Sequence, residues 1–138
     1  MNFSAPDLAL HPPRSPRVRL GGYASLPRLL DKCRATIAGR PGEYHYDCPL
    51  DRRFLEYVGV GADELKAHVA TGVGDGDVLA WIKANAKHRR APWEIEAWSA
   101  WQETRVPVDT DSRGYFTELH TKTAPDREDI ANWFDLLA

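Results

Sequence analysis

Cys48 is the residue of this chain that most clearly could do chemistry, because Pro49 follows it and predicts that a helix begins there. The unpaired N–H groups at a helix start favour a negatively charged sulfur, so one prediction is a nucleophilic thiolate. Tyr44 or His45, a few residues upstream, would then carry the proton. The structural alternative is a weak helix cap, and Asp47 favours it because a neighbouring negative charge disfavours the thiolate.

A second group of candidates lies on the charged side of the first long helix, where Arg28, Asp31 and Lys32 are three or four residues apart. If the N-terminal arm or the segment 43–48 folds over them, these charges become partly desolvated and could hold a carboxylate or phosphate. Without that cover they form a solvated face with ordinary surface ion pairs. The residues predicted to bind a small anionic ligand are Arg17, Arg28, Asp31, Lys32, Tyr44, Tyr46 and Asp51.

Other kinds of site find little support in the sequence. The five histidines are scattered, and His45 with Cys48 supplies two ligands where a structural zinc ion needs four. The GVGDG run lacks the preceding strand and the Lys-Ser/Thr ending of a phosphate-binding loop. Cys33 lies on an apolar helix stripe and is predicted to be an inert buried thiol. We therefore predict no metal site and no cofactor.

The composition indicates the cellular compartment of the protein and argues against some classes of binding partner. The 138 residues fit one domain, predicted to span 1–138. With 28% charged residues and a net charge of −2, no overall field would attract nucleic acid or an anionic membrane. The sequence contains neither 18 consecutive apolar residues nor a signal peptide. Two cysteines are too few for a disulfide framework, which predicts a cytoplasmic protein.

The elements that would position these residues are predominantly helical. Four prolines and three arginines in the first 20 residues predict that 1–22 form an extended arm packed on a helical body. The first helix is predicted at about 26–38, with Ser25 as its cap and Gly39 as its end. The later helices are predicted at about 49–58, 63–71, from 75 or 77 onward, 92–104, 111–121 and beyond 126. The prediction is an all-α fold of six or seven short helices, with at most one very short strand near 43–46.

Apolar periodicity also predicts which helix faces are buried. The stripe of the first helix is Leu26, Leu29, Leu30, Cys33 and Ile37. In the fifth helix the predicted core stripe is Trp93, Ala97, Ala100 and Trp101. Trp98 lies off that stripe and is predicted to line a groove. The sixth helix is predicted to bury Tyr115, Phe116 and Leu119, and the last one Ile130, Trp133, Phe134 and Leu137.

Several segments together carry a family resemblance. The successive runs PPRSPR, LGGYASLPRLLDKCRATIAG and GEYHYDCPLDRRFLEYVG, followed by a helix ending NWFDLLA, resemble a bacterial family, the domain-of-unknown-function family numbered five thousand and sixty-nine. The likeness covers nearly the whole chain, and it implies a small intracellular domain without an assigned reaction. The polar positions that match the motif are Arg17, Arg28, Asp31, Lys32, Tyr44, Cys48 and Asp51.

Three functions remain open at this point. The first is a non-catalytic binding domain for a small anionic metabolite, held by the cations and tyrosines near the helix start at Pro49. The second is a thiol-dependent enzyme that uses Cys48 as its nucleophile. The third is a structural or protein-interaction module, with a homodimer through a tryptophan-lined face as one form of it.

Overall fold

The computed structural model describes residues 5–137, and within them a small hairpin precedes seven helices. The strands are β1 (Arg19–Leu20) and β2 (Tyr23–Ala24). The helices are α1 (Leu26–Ile37), α2 (Pro49–Val58), α3 (Ala62–Val69), α4 (Asp75–Asn85), α5 (Pro92–Thr104), α6 (Thr110–Thr123) and α7 (Trp133–Leu137). The predicted all-α fold is confirmed. No helix in this described part is both long and apolar enough to cross a membrane.

The extended pairing is not where the sequence predicted it. Residues 43 and 46 lie in turns and 44–45 are irregular, whereas β1 and β2 pair antiparallel with Leu20 opposite Tyr23. Gly21 and Gly22 connect the two strands with φ values of 59° and 85°. A two-residue hairpin loop whose twist matches its strands needs left-handed φ at both positions, which glycine adopts without steric cost. The glycine pair therefore forms the hairpin that leads into α1.

α1 is the central helix of the core. Four members of its predicted stripe have no exposed surface: Leu26, Leu29, Leu30 and Cys33. They pack with side chains of α2, α3 and α4, among them Phe54, Leu65 and Ile82. The helix begins after Ser25, as predicted, but the buried Ser25 hydroxyl has no hydrogen-bond partner among the described residues. Gly39, with φ 73°, follows its end in the left-handed conformation typical of that position.

The buried face of α5 differs from the prediction. Trp93 and Trp101 are 73% and 52% exposed, whereas Trp98, predicted to line a groove, is only 9% exposed and belongs to the core. The reason is that hydrogen bonds from Ser99 hold this face of α5 against the hairpin. The Ser99 hydroxyl donates to the Gly22 carbonyl at 2.6 Å and accepts from the backbone N–H of Ala24 at 2.9 Å. A core-facing serine does not appear in a pattern of apolar residues.

The last two helices bury less than predicted. On α6, Phe116 is buried as predicted, but Tyr115 is 59% exposed. The predicted final helix starts later, at Trp133, because Asn132 and Asp135 cap it. The Asp135 carboxylate accepts from the backbone N–H groups of residues 131 and 132, and Asn132 Oδ1 accepts from the Asp135 N–H. Ile130 is nevertheless buried ahead of the helix.

Gly42 holds the N-terminal arm against the turn that follows α1. Its φ is +57°, and a Cβ atom there would lie 2.7 Å from the carbonyl carbon of Leu8. Leu8 is buried, and its N–H donates to the carbonyl of Arg40 at 3.0 Å. We expect Gly42→Ala to lower the free energy of unfolding by about 2 to 3 kcal/mol, since it adds a backbone clash to the cost of a left-handed alanine.

Gly39→Ala is the matched control for this prediction, measured by urea denaturation of both variants. Gly39 also has a positive φ, +73°, but a Cβ atom there would meet nothing within 4 Å. It should cost only the conformational penalty, about 1 kcal/mol. Equal losses in the two variants would show that the contact with the arm adds nothing to stability.

Candidate functional site

The start of α2 and the middle of α1 bring Lys32, Asp51 and Cys48 together. Lys32 Nζ lies 2.9 Å from Asp51 Oδ1 and donates to Cys48 Sγ at 3.2 Å. The other carboxylate oxygen of Asp51 accepts from the backbone N–H groups of Asp47, at 3.0 Å, and Cys48, at 3.4 Å. The side chains of Lys32 and Asp51 are only 4% and 1% exposed. The sequence placed all three residues in the candidate set, but the pairing of Lys32 with Asp51 was not predicted.

Arg28 lies one turn before Lys32 on α1 and is 5% exposed. Its Nη1 donates to the carbonyls of Arg14 and Leu137, both at 3.3 Å. Its guanidinium carbon lies 5.6 Å from the centre of the Tyr44 ring. Within residues 5–137 no carboxylate comes within 4.0 Å of this guanidinium group. Burial lowers the pKa of Arg28 below its ordinary value, although Tyr44 and Asp51 partly oppose the shift.

The N-terminal arm covers this side of α1 through Arg14. Its backbone N–H donates to Asp31 at 2.8 Å, and its guanidinium group binds both Asp31 and Asp75, at 3.0 and 2.9 Å. Arg34 completes the cluster with a 2.6 Å contact to Asp75. Burial disfavours the ionised Asp75, but hydrogen bonds from Arg14 and Arg34 outweigh it and lower the pKa of the carboxyl group. The arm is thus tied to α1 and α4, and the charged side of α1 is not a solvated face.

Three predicted ligand-binding residues lie apart from Arg28 and Lys32 or are already paired. Arg17 is exposed and pairs with Asp135 at 2.5 Å. The Tyr46 hydroxyl donates to the carbonyl of Ala62 at 2.7 Å, and burial raises its pKa. Asp31 is neutralised by the arm. The structure therefore groups Arg28, Tyr44, Lys32, Cys48 and Asp51, which we call the Arg28–Cys48 cluster.

Two open cavities adjoin this cluster, and Tyr44 lines both. One, of about 370 Å³, is lined by Thr36, Pro41, Tyr44, His45, Tyr46, Asp47, Ala62, Asp63 and Lys66. The other, of about 580 Å³, is lined by Tyr44 and by residues of the arm and of the turn at 42–43. Arg28, Lys32 and Cys48 line neither of these two cavities. Tyr44 is thus the side chain that connects the buried cation with the open surface.

The two thiols differ in their surroundings. Cys33 is buried, and burial raises the pKa of its thiol to about 11, which favours the protonated form at neutral pH. Cys48 is partly exposed, and its side-chain partner among the described residues is Lys32 rather than His45 or Tyr44. Within that same part of the chain, no three His, Cys, Asp or Glu side chains come together in a way that could hold a metal ion.

The sequence did not indicate that Asp75 and Arg34 help to hold the N-terminal arm over the Arg28–Cys48 cluster. Asp75 lies 61 residues from Arg14, and Arg34 was not singled out. Asp75 or Asp77 was predicted to cap α4, but Gly74 occupies the cap position and both aspartates lie in the first turn of the helix. No local signal indicates the two arginine partners of Asp75, because ion pairs across the fold leave no spacing pattern.

Comparison with known proteins gives a family and no activity. A comparison with curated proteins finds no match. The family model described as a domain of unknown function (DUF5069) matches residues 10–138, which include the arm from Leu10 onward, all nine elements and the Arg28–Cys48 cluster. The chain therefore belongs to this family, the domain-of-unknown-function family DUF5069.

Proposed function

We propose that this domain binds a small anion at Arg28 without catalytic turnover. The observation that carries the proposal is a guanidinium group that is 5% exposed and has no carboxylate partner within residues 5–137. Taking a cation out of water costs several kcal/mol unless an opposite charge compensates it. A bound anion would supply that charge.

The available donors limit the chemistry of the ligand. Nη1 of Arg28 is occupied by two backbone carbonyls, whereas Nε and Nη2 have no acceptor in the described part of the chain. These two N–H groups form a fork that suits a carboxylate or a phosphate group. Lys32 does not contribute a free charge, because Asp51 already neutralises it at 2.9 Å. The ligand would approach past Tyr44, the residue that both cavities share.

The other two functions have weaker support. A thiol-dependent enzyme needs a proton carrier beside the sulfur, and neither His45 nor Tyr44 hydrogen-bonds Cys48 among the described residues. An interaction module, as a homodimer or otherwise, would use the exposed Trp93 and Trp101 on α5. A cytoplasmic location also belongs to this proposal, because Cys33 and Cys48 are free thiols, as is usual in a reducing compartment.

Thermal unfolding in the presence of inorganic phosphate, succinate and citrate tests the proposal. An anion at roughly 100 times its dissociation constant stabilises the folded state by about 2.7 kcal/mol, which raises Tm by several degrees. Sodium chloride at equal ionic strength should give a much smaller shift. Arg28→Gln should abolish the anion-dependent part of the shift, and Arg28→Lys should reduce it because lysine lacks the forked donors.

Arg17→Gln is the matched control, since Arg17 is an exposed arginine of the N-terminal arm that already pairs with Asp135. This variant should keep the full response to the anion. The proposal is wrong if none of the three anions exceeds the chloride control, or if Arg28→Gln responds as strongly as Arg17→Gln.

A further inference from the structure

The contact between Lys32 and Cys48 places a lysine nitrogen of α1 beside an oxidisable sulfur at the start of α2. The two atoms are 3.2 Å apart, and 16 residues separate them in the chain. Cys48 is partly exposed, as attack by a small oxidant requires, whereas Lys32 is 4% exposed and is held in place by Asp51. The buried lysine nitrogen is therefore already positioned next to the sulfur.

We propose that Cys48 and Lys32 are a modification site, at which hydrogen peroxide drives a reversible covalent S–N crosslink. This inference goes beyond anion binding at Arg28 and does not depend on it. The crosslink would tie the middle of α1 to the start of α2, the two helices that hold the Arg28–Cys48 cluster together.

The chemistry has two balanced steps. In the first, the Cys48 thiol and one hydrogen peroxide give a sulfenic acid and one water, and the sulfur is oxidised by two electrons as the peroxide O–O bond breaks. In the second, Lys32 passes one proton to Asp51, and its neutral amine forms the S–N bond as the S–O bond breaks. The departing hydroxide takes the second amine proton and leaves as water, and Asp51 keeps the first proton, so that no unpaired charge is left buried.

The geometry favours this second step over further oxidation. A nucleophile fixed next to its target reacts with an effective concentration of about 10⁵ M or more, far above any concentration of a second peroxide. Asp51 Oδ1, 2.9 Å from Lys32 Nζ, is in place to accept the first proton. A dithiol reverses the reaction, since it regenerates the thiol and the amine as it becomes a disulfide.

A chain carrying Cys33→Ala, so that Cys48 is the only thiol, tests the proposal with hydrogen peroxide. Intact-mass measurement should show a loss of about 2 Da. After protease digestion, the peptide that contains Lys32 should be recovered covalently linked to the peptide that contains Cys48. Dithiothreitol should restore the original mass. Peptide mapping also separates oxidation of the single methionine from the change at Cys48.

Lys32→Arg is the matched variant, because it keeps a positive charge opposite Asp51 but lacks the amine. In it the crosslinked fraction should fall at least about tenfold, and sulfinic acid should accumulate on Cys48 instead. The proposal is overturned if the single-thiol chain itself forms sulfinic acid without a linked peptide, stays a free thiol, or gains about 14 Da through an oxygen between nitrogen and sulfur. These outcomes are measured on the single-thiol chain, so they decide the proposal even if the arginine variant does not fold.

Discussion

Replacing Asp51 with asparagine is expected to lower the free energy of unfolding by about 3 to 5 kcal/mol. Asparagine occupies nearly the same space and keeps an oxygen for the backbone N–H groups at the start of α2, so the helix cap is retained. It removes the negative charge opposite Lys32, whose side chain is 4% exposed. The variant therefore leaves a buried ammonium group without its counter-charge, and urea denaturation near neutral pH measures the loss.

Glu56→Gln is the matched control, because Glu56 is an exposed carboxylate on the same helix. It should change stability by no more than about 0.5 kcal/mol. The double variant Lys32→Met with Asp51→Asn lacks both charges, so it should be more stable than the sum of the two single losses implies. If Asp51→Asn costs no more than Glu56→Gln, Lys32 and Asp51 do not form a buried ion pair.

Phe54→Ala is expected to destabilise the protein by about 3 to 5 kcal/mol. Phe54 lies on α2 and has no exposed surface, and its ring packs edge-on against Tyr23 and Trp98 with centroid distances of 5.1 and 6.2 Å. Truncation would leave a cavity where the hairpin, α2 and α5 meet. It would also remove edge-to-face aromatic contacts, each of which contributes about 0.5 to 1.5 kcal/mol. The decrease in the midpoint urea concentration of unfolding and the decrease in Tm measure the effect.

Trp93→Ala is the control that shows whether the loss of stability depends on the burial of the aromatic ring or only on its size. Trp93 is larger than Phe54, but 73% of its surface is exposed on α5. Its removal should change stability by about 0.5 kcal/mol or less. A loss comparable to that of Phe54→Ala would support the tryptophan stripe that periodicity predicted and would contradict the orientation of α5 in the structure.

Local signals predicted the elements well wherever a backbone requirement was visible in the chain. Pro49 at the first position of α2 and Gly59 at its end have the roles expected of them, and Gly59 adopts a left-handed φ of 74°. Proline before a helix and glycine after one act through their own dihedral angles, so no tertiary contact is needed to recognise them. The apolar stripe of α1 was readable for a similar reason, since four leucine and cysteine positions repeat with helical spacing.

The orientation of α5 shows where periodicity stops being sufficient. Its most apolar side, with Trp93 and Trp101, faces outward, and the side with Ser99 and Gln102 is buried. Ser99 satisfies both a backbone donor and a backbone acceptor of the hairpin, and a buried polar group is tolerated when it is hydrogen-bonded in this way. Hydropathy ranks such a residue as a surface residue, so the wrong face was predicted.

By itself the sequence determined the helical class, the bounds of α1 and α2, and the residue types at the Arg28–Cys48 cluster. These depend on dihedral preferences and on apolar spacing within about 15 residues, which are properties of a short stretch of chain. Only the tertiary structure decided that Lys32 is neutralised by Asp51 while Arg28 has no carboxylate partner within residues 5–137. The residue type alone tells us that Lys32 and Arg28 are basic and that Asp51 is acidic. What a buried charge costs, and what it can bind, depends on which groups from distant parts of the chain come within a few ångströms of it.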